Sequence, residues 1–215
     1  MPELVIDGDR RMIVAGAFRL AFTWTGDRWT HALEHLGQGA SAHRTLALSF
    51  EGDADRDDLE RVVSPAYQDL QFQESEAGVM ALLVGQSGPH HFSAVFEVSE
   101  PTVANVIGRD PLEPEYNVTI KVDVADRCRV PVRSLASTYV VEAQSGDLDA
   151  NSDSSVVSWK LESDDLAFAP KAPALASFAE AGRRATRVQA CVSPEPGSST
   201  HRLIYHWVWR QNLSE

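Results

Sequence analysis

The chain has 215 residues, enough for one large β domain, and we expect residues 1–215 to form a single domain. Hydrophobic residues make up 43% and charged residues 23%, a globular composition that excludes a disordered chain. The formal charge of −12 would repel phosphate backbones and anionic lipids, which argues against nucleic acid and membranes as partners. No membrane-spanning run or signal-peptide pattern is present, so the sequence predicts a cytoplasmic location.

The clearest pattern lies in residues 12–24, where large apolar side chains alternate with polar ones. Such period-two alternation predicts one long strand. The pair Gly26-Asp27 then predicts a two-residue hairpin turn, because glycine accepts the positive φ that such turns require. The hairpin places Trp24 opposite Trp29. The same register pairs Phe22 with His31, Leu20 with Leu33, and Arg19 with Glu34.

The second arm of this hairpin contains H-x-x-E-H, as His31-Ala32-Leu33-Glu34-His35. These five residues resemble the inverted zinc-peptidase signature, in which a helix holds two histidines on one face beside a glutamate base. A short helix over residues 27–37 is the alternative to the hairpin. In the hairpin the two histidines share the apolar face while Glu34 points away, toward Arg19. We therefore predict paired structural histidines and no metal site.

Further period-two runs predict about eleven strands joined mostly by short connections. Helices are expected only at residues 57–63 and 173–184. The predicted fold class is all-β, mainly antiparallel, a sandwich or barrel with one or two short helices. The remaining predicted strands are residues 46–50, 70–74, 79–84, 92–98, 116–124, 138–143, 156–161, 188–192 and 203–209.

Other residues that could carry chemistry give weaker patterns. The acidic segments 53–58 and 147–153 begin like EF-hand calcium loops but lack the required glycine and terminal glutamate, so we interpret them as solvated turns. The pair His90-His91 lies in a predicted turn and is expected to be solvated rather than to bind a metal.

The two cysteines, Cys128 and Cys191, could form one disulfide, but free thiols are the favoured state. Arg127 and Arg129 flank Cys128 and could lower the pKa of its thiol. No histidine next to it in the sequence supports a nucleophile.

An aromatic stripe near the C-terminus places Tyr205, Trp207 and Trp209 on one strand face. Such a stripe can bind a sugar or an apolar ligand, or it can belong to the core, which is the favoured interpretation. These three residues, with His31 and His35, are the candidate ligand-binding residues.

The sequence therefore favours a non-enzymatic module that binds a small molecule or a protein. The alternative is a metal-assisted hydrolase or isomerase that uses histidines gathered on one sheet face. No catalytic residue is assigned and no cofactor is expected. Long strands with free edges would also suit a homodimer.

Overall fold

A computed structural model of the protein describes residues 1–36, 44–50, 64–75, 78–100, 116–130, 132, 134–142, 148–150, 156–160, 164–180, 185–193, 195 and 197–211. Within these residues the chain forms sixteen strands and no helix, so no helix there could cross a membrane. The strands are β1 (Glu3–Asp7), β2 (Arg10–Ala15), β3 (Phe18–Trp24), β4 (Trp29–His35), β5 (Arg44–Ser49), β6 (Asp69–Ser75), β7 (Gly78–Ser87), β8 (His90–Ser99), β9 (Tyr116–Arg127), β10 (Leu135–Glu142), β11 (Leu148–Ala150), β12 (Val157–Lys160), β13 (Asp164–Pro170), β14 (Leu175–Glu180), β15 (Ala185–Val192) and β16 (Thr200–Gln211).

The strands form two antiparallel sheets that pack as a sandwich, as the predicted fold class allowed. Sheet I has the order β1-β2-β3-β4-β5-β10-β15-β14, and sheet II the order β11-β12-β13-β16-β9-β8-β7-β6. Aromatic rings from both sheets meet between them, as where Phe22 of sheet I lies edge-on to Phe96 of sheet II at 5.5 Å between ring centroids. Tyr139 contacts Trp207 in the same way at 5.0 Å. The core is therefore the layer between the sheets, and the sheets do not close into a barrel.

The β3–β4 hairpin has the predicted register. Trp24 pairs with Trp29, and the pairing continues to Phe18 opposite His35. Gly26 has a φ of +102°, and the Thr25 amide donates to the Arg28 carbonyl at 2.9 Å across the two-residue loop. The helix considered for this segment is absent.

The single strand predicted for residues 12–24 is instead the hairpin β2–β3. Gly16 has a φ of +56° and reverses the chain, so that Ala15 pairs with Phe18. The alternation across this turn looked continuous in the sequence because Gly16 and Ala17 are small. With β1, β11, β13 and β14, which the sequence did not predict, this division raises the number of strands from about eleven to sixteen.

The helix predicted for residues 173–184 is wrong for its described part, because residues 175–180 form strand β14 at the edge of sheet I. Here Leu175 pairs with Cys191 and Glu180 with Thr186. Backbone pairing to β15 overrides the helical propensity of this alanine-rich segment. The other predicted helix, residues 57–63, lies outside the described residues.

Strand β5 departs from the predicted alternation. Regular alternation over the predicted strand 46–50 would place Leu46, Leu48 and Phe50 on one inner face. The pairing of β5 with β4 instead shifts by one residue beside Leu46. Such a bulge puts two consecutive side chains on the same side. Leu46 and Ala47 are therefore both buried, whereas Leu48 is 41% exposed and Phe50 36% exposed.

Candidate functional site

The aromatic stripe of strand β16 lies in the core. Tyr205, Trp207 and Trp209 are at most 1% exposed, and Trp207 packs on Phe168 at 4.7 Å between ring centroids. The stripe thus fills the space between the sheets, which was the favoured interpretation. A ligand-binding role for these three residues stays a prediction.

His31 is also buried, within a hydrogen-bonded chain that crosses the core. Its Nε2 lies 2.7 Å from the Tyr139 hydroxyl, which in turn lies 2.6 Å from the hydroxyl of Tyr205. His31 and Tyr139 belong to sheet I and Tyr205 to sheet II, so the chain connects the two sheets. Burial lowers the pKa of His31 to about 3, which keeps the ring neutral at physiological pH.

The rest of the H-x-x-E-H string follows the hairpin geometry. His35 packs against Trp209 at 5.6 Å between ring centroids. Glu34 points away from both histidines and forms ion pairs with Arg10 at 2.5 Å and with Arg19 at 3.7 Å. Glu34 is only 3% exposed, so its carboxylate is buried, whereas the side chains of Arg10 and Arg19 are 35% and 18% exposed. A glutamate on the opposite face cannot act as base for a metal held by the histidines.

A different group of polar residues gathers at one end of sheet II, and we call it the strand-end cluster: His90, Asp126, Cys128 and His201. His90 begins β8, Asp126 is the second-last residue of β9, and His201 is the second residue of β16. These three strands are neighbours in sheet II, and His201 pairs directly with Asp126. The expectation that His90 is solvated in a turn is wrong, because its side chain is 15% exposed and faces the sheet interior.

Short distances join the members of the strand-end cluster. His90 Nδ1 lies 2.9 Å from Asp126 Oδ2, and Cys128 Sγ lies 3.9 Å from His201 Nε2. One potential ligand atom each from His90, Asp126 and Cys128 lies within 4.8 Å of the other two. Asp126 is completely buried, and His201 is 5% exposed. The cluster therefore brings an imidazole, a carboxylate and a thiol together, with the imidazole of His201 beside the thiol.

The electrostatics of Cys128 are opposite to the expectation from its arginine neighbours. Burial is the main cause that raises the pKa of this thiol, and the nearby charge of Asp126 adds to it. The thiol donates to the Val130 carbonyl at 3.2 Å. Cys128 is therefore a protonated thiol and not an activated nucleophile. Both cysteines are free, as expected.

A cleft of about 540 Å³ opens beside the strand-end cluster. Cys128 belongs to its wall and connects it to the cluster, while Arg127 and Arg129 are exposed. The described lining contains no carboxylate; it consists of Pro89, His91, Arg127, Cys128, Arg129 and Ser199. The cleft thus carries positive charge on a chain whose net charge is −12.

None of the sequence-predicted ligand residues is among the described residues that line this cleft. Residues 53–58 lie outside the described part of the chain. Of residues 147–153 only 148–150 are described, as strand β11.

A signal for the strand-end cluster was present in the sequence. In β9 the inward side chains are Val118, Ile120, Val122 and Val124, and the same alternation continues to Asp126. A polar residue in the next inward position of an apolar stripe is a marker of a buried polar site. The sequence could not show that β8, β9 and β16 are neighbours.

No known protein-family model matches the chain, and no curated protein is similar to it in sequence.

Proposed function

We propose that this protein is a non-enzymatic binding module that takes a small anion in the cleft at the end of sheet II. The observation that carries the proposal is the charge of the cleft: Arg127 and Arg129 line a concave site of about 540 Å³ without a carboxylate among the described lining residues. That volume is within the range of small-molecule sites, about 300–1,000 Å³.

Arginine is well suited to this role because its planar guanidinium donates paired hydrogen bonds to carboxylates and phosphates. His91 adds a third side chain that can form hydrogen bonds, since it lies opposite Arg127 in the β8–β9 pairing. The net charge of −12 favours neutral or cationic partners for the surface as a whole. The negatively charged surface around the cationic cleft would repel a large polyanion that extends beyond the cleft. A compact anion that fits inside the cleft avoids most of this repulsion, so the charge distribution favours compact anions.

The proposal is tested by isothermal titration calorimetry with two probes, inorganic phosphate and citrate. We expect Arg127→Gln or Arg129→Gln to weaken the affinity about tenfold, because a charge-assisted hydrogen bond contributes roughly 1.5–3 kcal/mol. Arg187→Gln is the matched control, because Arg187 is exposed on β15 of the other sheet. Equal effects of all three substitutions, or no heat with either probe, would contradict an anion site in the cleft.

A metal-assisted hydrolase or isomerase is the second candidate, and one observation favours it. His90 and His201 from different strands both face the inner side of sheet II beside the cleft, which is the gathering of histidines that such chemistry needs. Turnover of chromogenic carboxylic or phosphate esters in the presence of Zn²⁺, abolished by His90→Gln, would favour the enzyme over the binding module.

A further inference from the structure

The strand-end cluster combines four metal-ligating side chains, contributed by three adjacent strands and the residue that follows β9. We infer that His90, Asp126 and Cys128 bind one divalent transition-metal ion, and that Zn²⁺ matches the site best. The fourth ligand would be His201, which lies beside Cys128 but outside the group that the other three form, so its ring must move toward the ion. This inference does not depend on anion binding in the cleft.

The donor set is the first argument. One thiol, two imidazole nitrogens and one carboxylate oxygen are the atom types that Zn²⁺ takes in proteins, whereas Ca²⁺ and Mg²⁺ require oxygen ligands. Four-coordinate tetrahedral geometry is the usual arrangement for such a set. A Cys-containing site therefore selects a zinc-like ion over the alkaline-earth ions.

The distances are the second argument. Metal–ligand bonds of about 2.0–2.3 Å in a tetrahedron place neighbouring ligand atoms roughly 3.3–3.6 Å apart. The distance from His90 Nδ1 to Asp126 Oδ2 is 2.9 Å, and that from Cys128 Sγ to His201 Nε2 is 3.9 Å. The two values fall on either side of the required spacing. Because the ligand atoms of His90, Asp126 and Cys128 also lie within 4.8 Å of one another, small side-chain rotations can bring these three to one ion, whereas His201 must move further.

The burial of Asp126 is the third and independent argument. Its side chain is completely buried, and its Oδ1 has no hydrogen-bond partner among the described residues. Buried polar atoms are almost always paired, because an unsatisfied buried carboxylate oxygen costs free energy. A cation coordinated by Asp126 would remove that cost.

The backbone holds the ligands in place. Residues 91–99 of β8 pair with residues 119–127 of β9, and β9 pairs with all of β16. Beyond the end of β9, the Cys128 amide donates to the Ser199 carbonyl at 3.0 Å, which fixes Cys128 beside the start of β16. A rigid strand scaffold of this kind favours a defined coordination geometry. On binding, the Cys128 thiol would release its proton to solvent and coordinate as thiolate.

The experiment is a titration of untagged, metal-free protein with Co²⁺, a spectroscopic substitute for Zn²⁺, followed by competition with Zn²⁺. We expect one Co²⁺ per chain, a thiolate-to-cobalt charge-transfer band, visible bands of tetrahedral cobalt, and displacement by Zn²⁺. Cys128→Ser should remove the charge-transfer band and weaken binding at least about 100-fold, because it deletes a ligand. Cys191→Ser is the control and should leave the spectrum unchanged, since Cys191 lies in sheet I.

A second variant keeps the test decisive if Cys128→Ser does not fold. His90→Gln changes the partly exposed first residue of β8 and should weaken Co²⁺ binding while the protein remains folded by circular dichroism. Wild-type protein that shows no charge-transfer band, or a band that persists in Cys128→Ser, would overturn the inference. Arg127→Gln should keep the Co²⁺ spectrum, so failure of the anion proposal is distinguishable from failure of the metal site.

Discussion

The buried imidazole of His31 should make the protein lose stability as the pH falls. In the folded state burial lowers the pKa of His31 to about 3, whereas the unfolded chain has the ordinary value of 6.5. The unfolded state therefore binds a proton between these two pH values and the folded state does not. Linkage then requires that the stabilisation is fully present above about pH 6.5 and is lost progressively as the pH falls toward about 3.

The magnitude follows from the two pKa values. Each pH unit inside the window changes the free energy of unfolding by about 1.4 kcal/mol for one proton. Lowering the pH from about 7 to about 4.5 should therefore remove about 2.5 kcal/mol through His31 alone. The hydrogen bond to Tyr139 does not offset this loss, because a protonated ring would remain without water among aromatic side chains.

Urea denaturation at the two pH values measures this contribution. Acidic residues also titrate in this range, so the quantity to compare is the pH-dependent loss in wild-type protein minus that in His31→Gln, which has no titrating ring. His91→Gln is the matched control because His91 is exposed, and it should retain the wild-type loss. If His31→Gln loses as much stability as the wild type, the ring is not held neutral by burial. An NMR titration that showed His31 protonating near pH 6 would refute the reasoning directly.

Three further predictions concern stability and are measured by urea or thermal denaturation. Trp207→Ala should destabilise the protein by about 3–5 kcal/mol, because the ring is 1% exposed between the sheets; an unchanged melting temperature would place it on the surface. Glu34→Gln should cost about 1.5–3 kcal/mol, above the roughly 1 kcal/mol of a surface pair, because the carboxylate is buried between two arginines; a smaller loss would mean that water compensates it. Gly85→Ala should destabilise the folded protein strongly, because a Cβ at this position would lie 1.8 Å from the Ala66 carbonyl oxygen. At Gly88 an added Cβ meets no atom within 4 Å, so Gly88→Ala should lower stability only through the backbone strain of its φ of +55°. Equal losses at the two glycines would contradict the steric argument.

The parts of the fold that the sequence predicted well are those set by local alternation and by a two-residue turn. In the β3–β4 hairpin, Gly26 fixes the turn and the alternation fixes which side chains face the core. The register therefore follows from the sequence alone, and with it the opposite orientations of Glu34 and His31. Because the glutamate and the histidines fall on opposite faces, the alternation by itself argues against a peptidase site at the H-x-x-E-H string.

The errors arose where pairing with a distant strand decides the outcome. Strand β14 has a helical composition but becomes a strand because β15 offers an unpaired edge. The bulge beside Leu46 reverses the facing of Leu48, and only the pairing with β4 reveals it. Neither effect has a local sequence signal, since both depend on backbone hydrogen bonds between separate segments of the chain.

The strand-end cluster could be predicted from the sequence only in part. Inward alternation predicts that Asp126 continues the valine stripe of β9, and that His201 precedes the inward Leu203 and Tyr205 of β16 in the same phase. The alternation in β9 and in β16 therefore predicts a buried polar residue near one end of each strand. The order of sheet II then determines which of these ends coincide, because β9 runs antiparallel to both neighbours and places its last residues beside the first residues of β8 and β16. A polar residue in the phase of the core, near the end of a strand, is thus a local sign of a site whose composition only the topology can complete.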